Sequence, residues 1–142
     1  MSNPASVSSF LRTGKLGPLE LGCSHAVVHT LLGAPEAVGR GTAKTSIERH
    51  AGGRLELTFS KAGVLVLIAL FPFRGTELER LPLVDPLPPE VQRSPAEFEQ
   101  WLKREGIAFD VVDPDDESYA VRLHTGVTAT FEQGSLYTLQ CT

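Results

Sequence analysis

Two histidines, His25 and His29, stand four residues apart in a segment whose sequence predicts a helix. Residues with this spacing lie on one helical face, where two imidazoles can bind a single zinc ion. A catalytic zinc also needs a third protein ligand, and Ala26 stands where an H-E-x-x-H motif would have its glutamate. We therefore interpret the pair as half-buried histidines at the border of the core, and predict no metal site and no cofactor.

Cys23 directly precedes the predicted start of this helix, where the positive end of the helix dipole can activate a thiol. With His25 and His29 it defines an alternative function, a small metal- or cysteine-dependent enzyme. Nothing in the local sequence fixes such a geometry, and free cysteine is among the most buried residue types. We predict no catalytic residue and no enzymatic activity. Cys23 and Cys141 are the only cysteines and are expected to remain thiols.

A second group of reactive side chains is acidic and lies within eight residues of the second half of the chain: Asp110, Asp113, Asp115, Asp116 and Glu117. The spacing resembles half of a calcium loop, but the central glycine and the distal glutamate of an EF-hand are missing. Two interpretations remain, a solvated hairpin loop and a docking patch for a basic protein. We assign the five residues as the candidate partner-binding site.

The charge of the chain is unevenly distributed. The net charge is −4, yet residues 1–74 contain eight Lys/Arg and four Glu, whereas residues 75–142 contain five Lys/Arg and thirteen Asp/Glu. Such asymmetry creates a field that steers charged partners. The acidic balance disfavours nucleic acid, and Arg49 and Arg54, close across a Gly-Gly turn, are the best candidates for a local basic patch.

No segment is predicted to cross a membrane, because the longest apolar run, Val64 to Phe71, has eight residues and a spanning helix needs about twenty. The first residues lack a basic cluster followed by a long apolar stretch, so we expect no secretory signal and a cytoplasmic location. The glycine-rich motifs that cradle phosphate groups are also missing from the sequence.

The elements that position these residues occur twice. In the first copy, Ser24 is typical of a helix N-cap and Gly33 of a helix end, with Val27, Val28, Leu31 and Leu32 on one arc. Three strands are predicted to follow, and the third is expected at the centre of a sheet: Thr45–His50, Arg54–Phe59 and Val64–Phe71. The opening dozen residues are expected to be loose, and Leu16–Gly22 to be extended.

The second copy begins after a proline-rich connector whose leucines indicate that it lies against the body. Ser94, Pro95 and Glu97 are typical of a helix start, and Phe98, Trp101 and Leu102 form its buried stripe. Gly106 ends this helix, and four strand-like segments follow. We predict an α+β fold for residues 1–142 as a single domain, with the helices packed on antiparallel sheet. Its parts are a first unit at 16–73, the connector at 74–93 and a second unit at 94–142.

Part of the sequence resembles a known class of proteins. Residues 16–38, LGPLELGCSHAVVHTLLGAPEAV, contain the pattern L-G-x-S-x-x-x-V-x-x-L-L-G-x-P, which is similar to a signature of small bacterial orphan proteins encoded beside polymorphic toxins. Residues 94–107 and 126–139 fit the later part of that pattern. The first element is also similar to the helical start of β-lactamase-inhibitor-protein-like modules, which bind other proteins through sheet surfaces. These resemblances imply a fold and a neutralising, partner-binding role, and they transfer no catalytic residue.

The sequence therefore favours a non-enzymatic protein-binding module, an immunity protein that binds and neutralises a cognate, basic bacterial toxin. The expected state is a monomer or weak dimer that binds neither nucleic acid nor membrane. The enzyme based on Cys23, His25 and His29 remains the alternative, and a structural or assembly module that pairs through an exposed sheet edge is a further one.

Overall fold

The structure is a computed structural model that describes residues 5–42, 44–78, 80–84, 87–114 and 118–142. Its helices are α1 (Val7–Thr13), α2 (His25–Leu32), α3 (Pro89–Gln92) and α4 (Pro95–Arg104). Its strands are β1 (Ala5–Ser6), β2 (Ala37–Arg40), β3 (Thr45–His50), β4 (Leu55–Ser60), β5 (Leu65–Leu70), β6 (Leu83–Val84), β7 (Phe109–Pro114), β8 (Ser118–Leu123), β9 (Val127–Glu132) and β10 (Ser135–Cys141).

Eight of the strands form one antiparallel sheet, in the order β2-β3-β4-β5-β10-β9-β8-β7. Each half of the chain contributes a four-stranded meander, and the final strands of the two meanders, β5 and β10, join them at the centre. The short strands β1 and β6 form a separate parallel pair. The prediction of an α+β fold with an antiparallel sheet is confirmed.

The two longer helices begin and end where the sequence predicts. The Ser24 hydroxyl accepts a hydrogen bond from the Val27 amide, and the Ser94 hydroxyl accepts one from the Glu97 amide, so each serine satisfies a free donor of the first turn. Gly33 follows α2 with φ 81°, a conformation that side chains rarely adopt. The buried arc of α2 is narrower than predicted, because Val28 is buried while Val27 is exposed.

The hairpin formed by β3 and β4 decides which side chains of β3 face the core. The turn Ala51–Gly53 connects the strands and sets Glu48 opposite Leu57 and His50 opposite Leu55. Opposite residues project from the same face of a sheet, and Leu55 and Leu57 are fully buried. Glu48 and His50 therefore project from β3, the strand next to the edge of the sheet, toward its buried face.

The core of the second unit is built around aromatic contacts. Phe98 of α4 lies edge-on to Phe131 of β9, with ring centroids 5.3 Å apart, and both rings are buried. Trp101 stacks beside Phe98, and both belong to the predicted buried stripe of α4. The Tyr119 hydroxyl of β8 donates a hydrogen bond to the Glu99 carboxylate of α4, and burial together with this carboxylate raises the pKa of Tyr119.

The prediction that the opening residues are loose is wrong from residue 5 onwards. Ser6 caps α1, whose apolar residues at positions i, i+3 and i+4 are buried: Val7, Phe10 and Leu11. The Arg12 guanidinium pairs with the Glu105 carboxylate beyond the end of α4, and the Thr125 hydroxyl donates to the Leu11 carbonyl at 2.8 Å. The four serines near this helix obscured its short apolar stripe.

Three further differences concern short segments. Residues 16–22 form a tight turn closed by a Leu16–Leu19 bridge, not an extended piece, because both leucines are buried in the core. Strand β2, which the sequence did not predict, is an exposed edge strand held by its pairing with β3. The connector carries β6 and α3, and its Leu78, Leu81 and Leu87 are buried, as its leucines predict.

Candidate metal-binding cluster and acidic edge strand

Helix α2 and strand β3 bring two imidazoles and one carboxylate together. His29 Nε2 lies 2.9 Å from Glu48 Oε1 and 3.1 Å from Oε2. His25 Nε2 contacts Oε2 of the same carboxylate. The rings of His25 and His29 are neighbours, with centroids 4.1 Å apart. The three side chains, called the His-His-Glu cluster below, thus converge on one point through Nε2, Nε2 and a carboxylate oxygen.

The members of the cluster differ sharply in exposure. The Glu48 side chain is 2% exposed, whereas those of His25 and His29 are 45% and 36% exposed. A carboxylate withdrawn from water is unfavourable unless positive charge or hydrogen-bond donors compensate it. The two histidines occupy this compensating position, and solvent reaches the cluster from their side. His25 is held in place by an edge-on contact with Phe59 at 4.6 Å between centroids.

A third histidine, His50, lies close to the same carboxylate. His50 Nε2 lies 3.8 Å from Glu48 Oε1, and the His50 side chain is 5% exposed. Within the described ranges no hydrogen-bond partner satisfies this nitrogen, which is also shielded from solvent. Burial lowers the pKa of His50, with the charge of Glu48 acting in the opposite direction. Buried polar atoms are nearly always satisfied, so this nitrogen marks an unusual site.

The sequence identified two of the three members of the cluster. His25 and His29 share a helical face as their spacing predicts, whereas Glu48 was not recognised as the third member. A signal was present, because the hairpin turn at residues 51–54 sets Glu48 opposite Leu57 of an alternating, half-buried strand. Among the described residues, the group whose ligand atoms lie within 4.8 Å of one another consists of His25, His29 and Glu48, and it excludes Cys23.

The two cysteines are free and lie in different environments. Cys141 is buried in the core, and burial raises the pKa of its thiol, whereas Cys23 is half-buried. We expect Cys23 to react first with a thiol-specific alkylating reagent in the native protein, and Cys141 to react only as the chain unfolds. Mass spectrometry of a labelling time course tests this expectation. The fast label should disappear in Cys23→Ser and persist in Cys141→Ser, and equal native rates would contradict it.

Two of the acidic residues identified in the sequence, Asp110 and Asp113, belong to an outer strand of the sheet. Strand β7 is the last strand of the order, and among the described residues it pairs only with β8. Asp110 is exposed on β7 and its Oδ2 lies 3.1 Å from His124 Nε2. Val111 and Val112 are 43% and 42% exposed. Asp113 also belongs to β7, and Asp115, Asp116 and Glu117 lie outside the described residues.

Arg49 and Arg54, the arginines considered for a basic patch, both form contacts with other groups of the protein. Arg49 Nε and a terminal nitrogen lie 3.1 and 3.0 Å from Glu56 Oε1 on the neighbouring strand. Arg54 Nε donates to the Arg74 carbonyl at 3.0 Å. Much of the charge that Arg49 could offer to a phosphate is therefore balanced by a carboxylate.

Two of the larger pockets bear on the enzyme alternative. A largely apolar pocket of about 230 Å³ lies between β6, β10 and Arg54, and a polar one of about 260 Å³ is lined by His50, Glu36, Glu77 and Arg80 among others. Neither pocket is lined by Cys23, His25 or His29. The thiol and the two imidazoles of the enzyme alternative thus do not share either of these pockets.

Comparisons with models of protein families, with curated proteins and with solved structures find no match to the chain. None of the helices in the described part of the chain is both long and apolar enough to cross a membrane. The case for a function accordingly depends on the residues and contacts described above.

Proposed function

We propose that the chain is a non-enzymatic protein-binding module that acts in the cytoplasm as an immunity protein, binding and neutralising a cognate bacterial toxin. The observation that carries this proposal is the edge strand β7, on which two exposed valines stand next to exposed acid. The resemblance of residues 16–38 to orphan proteins of toxin loci supports the choice of partner.

Strand β7 combines the two features that a protein interface needs. Val111 lies opposite Val121, and Val112 occupies the register shift between Val111 and Asp113, so two exposed apolar side chains stand side by side on this edge strand. The free backbone groups of an edge strand can pair with another chain. Acidic residues precede and follow the valines in sequence, which gives an apolar centre with a polar rim.

The charge of this edge defines the chemistry of the partner. Five carboxylates lie between Asp110 and Glu117, in the half of the chain that contains thirteen acidic and five basic residues. A cationic protein is attracted to such a surface over several ångströms, and complementary charges raise the association rate more than they slow dissociation. A toxin with a basic active-site cleft would be blocked by steric occlusion once it is bound here.

The proposal predicts that neutralising the acidic edge slows association. For Asp113→Asn, Asp115→Asn, Asp116→Asn and Glu117→Gln combined, we expect the association rate at low salt to fall about tenfold and its salt dependence to flatten. The probe is the protein encoded by the neighbouring reading frame, with rates measured by surface plasmon resonance at several salt concentrations. An unchanged association rate would remove the acidic edge from the interface.

A matched control separates local charge from net charge. Four exposed glutamates remote in sequence from β7 can be replaced by glutamine to give the same net charge: Glu20, Glu77, Glu90 and Glu97. We expect this variant to keep most of the association rate.

Charged residues also protect sheet edges from self-association, so the mass of each variant in solution is measured. Dimerisation of the edge variant without any loss of partner binding would assign the carboxylates to that protective role.

A further inference from the structure

We propose that His25, His29 and Glu48 form a binding site for one divalent transition-metal ion, and that zinc is the ion these ligands fit best. This inference does not depend on the proposed toxin-binding function, since it concerns the opposite end of the sheet order and a different class of ligand. It is carried by the convergence of the three side chains and, independently, by the unsatisfied nitrogen of His50.

The type and number of donor atoms match zinc. Two imidazole nitrogens and one carboxylate oxygen are the protein ligands of a common three-ligand zinc site, in which a water molecule completes the tetrahedron. With zinc–ligand bonds of about 2.0–2.1 Å, ligand atoms in such a tetrahedron lie about 3.4 Å apart. The corresponding atoms of the His-His-Glu cluster all lie within 4.8 Å of one another. Magnesium and calcium, which prefer oxygen ligands, fit the two nitrogens poorly.

The scaffold holds the ligands in place before any ion arrives. His25 and His29 are one helical turn apart on α2, whose start is fixed by the Ser24 cap. Glu48 is fixed by the pairing of β3 with both β2 and β4, and its side chain is buried. Because the ligands come from a helix and a strand, a bound ion would link α2 to β3 directly.

The exposure of the cluster gives an ion access from solvent and leaves one coordination position free. Water reaches the two histidines, each more than a third exposed, while the carboxylate behind them is shielded. An ion can therefore enter from the histidine side and neutralise a carboxylate that is otherwise withdrawn from water. A coordination position facing solvent is left for water or for a group from a partner.

His50 provides the second, independent observation. Its buried Nε2 lies 3.8 Å from a Glu48 carboxylate oxygen and has no hydrogen-bond partner among the described residues. Ligating carboxylates are commonly supported by further hydrogen bonds from residues around the metal site. A small movement of Glu48 upon coordination would bring this nitrogen within hydrogen-bonding distance, so His50 is placed as a positioning residue for the carboxylate.

The experiment titrates the purified, tag-free and chelator-treated chain with Zn²⁺ by isothermal calorimetry. We expect saturable binding of one ion per chain at micromolar concentration, a rise of several degrees in the melting temperature, and shifted imidazole signals of His25 and His29 in proton NMR. Co²⁺ should give the visible absorption of a tetrahedral site with nitrogen and oxygen ligands. Mg²⁺ at the same concentrations should give no heat.

The variants are chosen so that the buried carboxylate keeps its donors. In the double variant His25→Gln, His29→Gln, the side-chain amides can still donate hydrogen bonds to Glu48. Its Zn²⁺ affinity should fall at least about a hundredfold, which exceeds the loss typical when a residue that only supports a metal ligand is replaced. His124→Ala is the matched control, since His124 also pairs with a single carboxylate but stands outside the cluster, and its affinity should be unchanged. Glu48→Gln, which keeps the side-chain volume, should weaken binding as well.

Two results would overturn the proposal. One is the absence of saturable Zn²⁺ binding by the wild-type chain, which would identify the cluster as a hydrogen-bonded network around a buried carboxylate. The other is equal Zn²⁺ affinity in the wild type and in a folded His25→Gln, His29→Gln variant, with the fold checked by circular dichroism and urea unfolding. Toxin binding is not measured in either experiment, so the failure of one proposal leaves the other intact.

Discussion

Phe131→Ala is expected to lower the free energy of unfolding by about 3–5 kcal/mol. The Phe131 ring is 1% exposed and contacts the rings of Phe98 and Tyr119, with centroids 5.3 and 6.3 Å away. Removing it leaves a cavity between α4 and the second meander that these neighbours fill only in part, because Phe98 is itself enclosed on all sides. Urea unfolding followed by tryptophan fluorescence measures the change, since Trp101 stacks on Phe98.

Phe73→Ala is the matched control for this substitution. It removes the same ring from the end of the first unit, where Phe73 is 62% exposed, so we expect a change within about 0.5 kcal/mol. A double-mutant cycle between Phe98 and Phe131 should then reveal a coupling of about 0.5–1.5 kcal/mol for the edge-on pair. Equal effects of Phe131→Ala and Phe73→Ala would show that the second unit is not held together by these rings.

Gly75→Ala is expected to destabilise the protein by about 2–4 kcal/mol, which combines left-handed strain with overpacking. A Cβ at position 75 would lie 1.7 Å from the Ala51 carbonyl oxygen and 2.9 Å from the Arg54 nitrogen. Both neighbours are backbone atoms, so the chain must move apart where the connector crosses the turn between β3 and β4. The hydrogen bond from the Thr76 amide to the Ala51 carbonyl, 2.9 Å in length, would be lost as well.

Gly106→Ala is the control that measures left-handed strain without steric overlap. Gly106 has the same φ, +71°, as Gly75, but no other described atom lies within 4 Å of the position its Cβ would take. We expect a loss of only about 1–2 kcal/mol, the strain of a left-handed backbone alone. Thermal unfolding of both variants gives the comparison, and an equal shift of the two melting temperatures would show that the crossing at Gly75 is not tight.

The features that could be predicted from the sequence are those set by neighbours along the chain. The Ser94 cap, Gly106 and the spacing of Phe98, Trp101 and Leu102 locate α4, and turn residues locate the strands of both meanders except β2. His25 and His29 belong to this category, since their common helical face depends on four residues of spacing. Helix α1 was missed because its apolar stripe has three members in a serine-rich segment.

Glu48 could not be assigned so directly, because its role depends on tertiary contact. The sequence shows a strand at Thr45–His50, but a glutamate in a strand is ordinarily solvated, and His29 and His25 lie 19 and 23 residues away along the chain. Combining the hairpin register with the burial of Leu57 predicts the direction of Glu48 and not its partners. The arrival of α2 over β3 supplies the two histidines, and that packing is a property of the whole fold.

The position of β5 in the sheet has a consequence for synthesis. One neighbour of β5 is β4, which precedes it directly, and the other is β10, the last of the described strands in chain order. A nascent chain that has completed the first meander but lacks β10 therefore carries an open backbone edge along Ile68, Ala69 and Leu70, the residues that pair with β10 in the finished sheet. Such an apolar edge is a binding site for chaperones and a starting point for aggregation until β10 has been synthesised and has paired with β5.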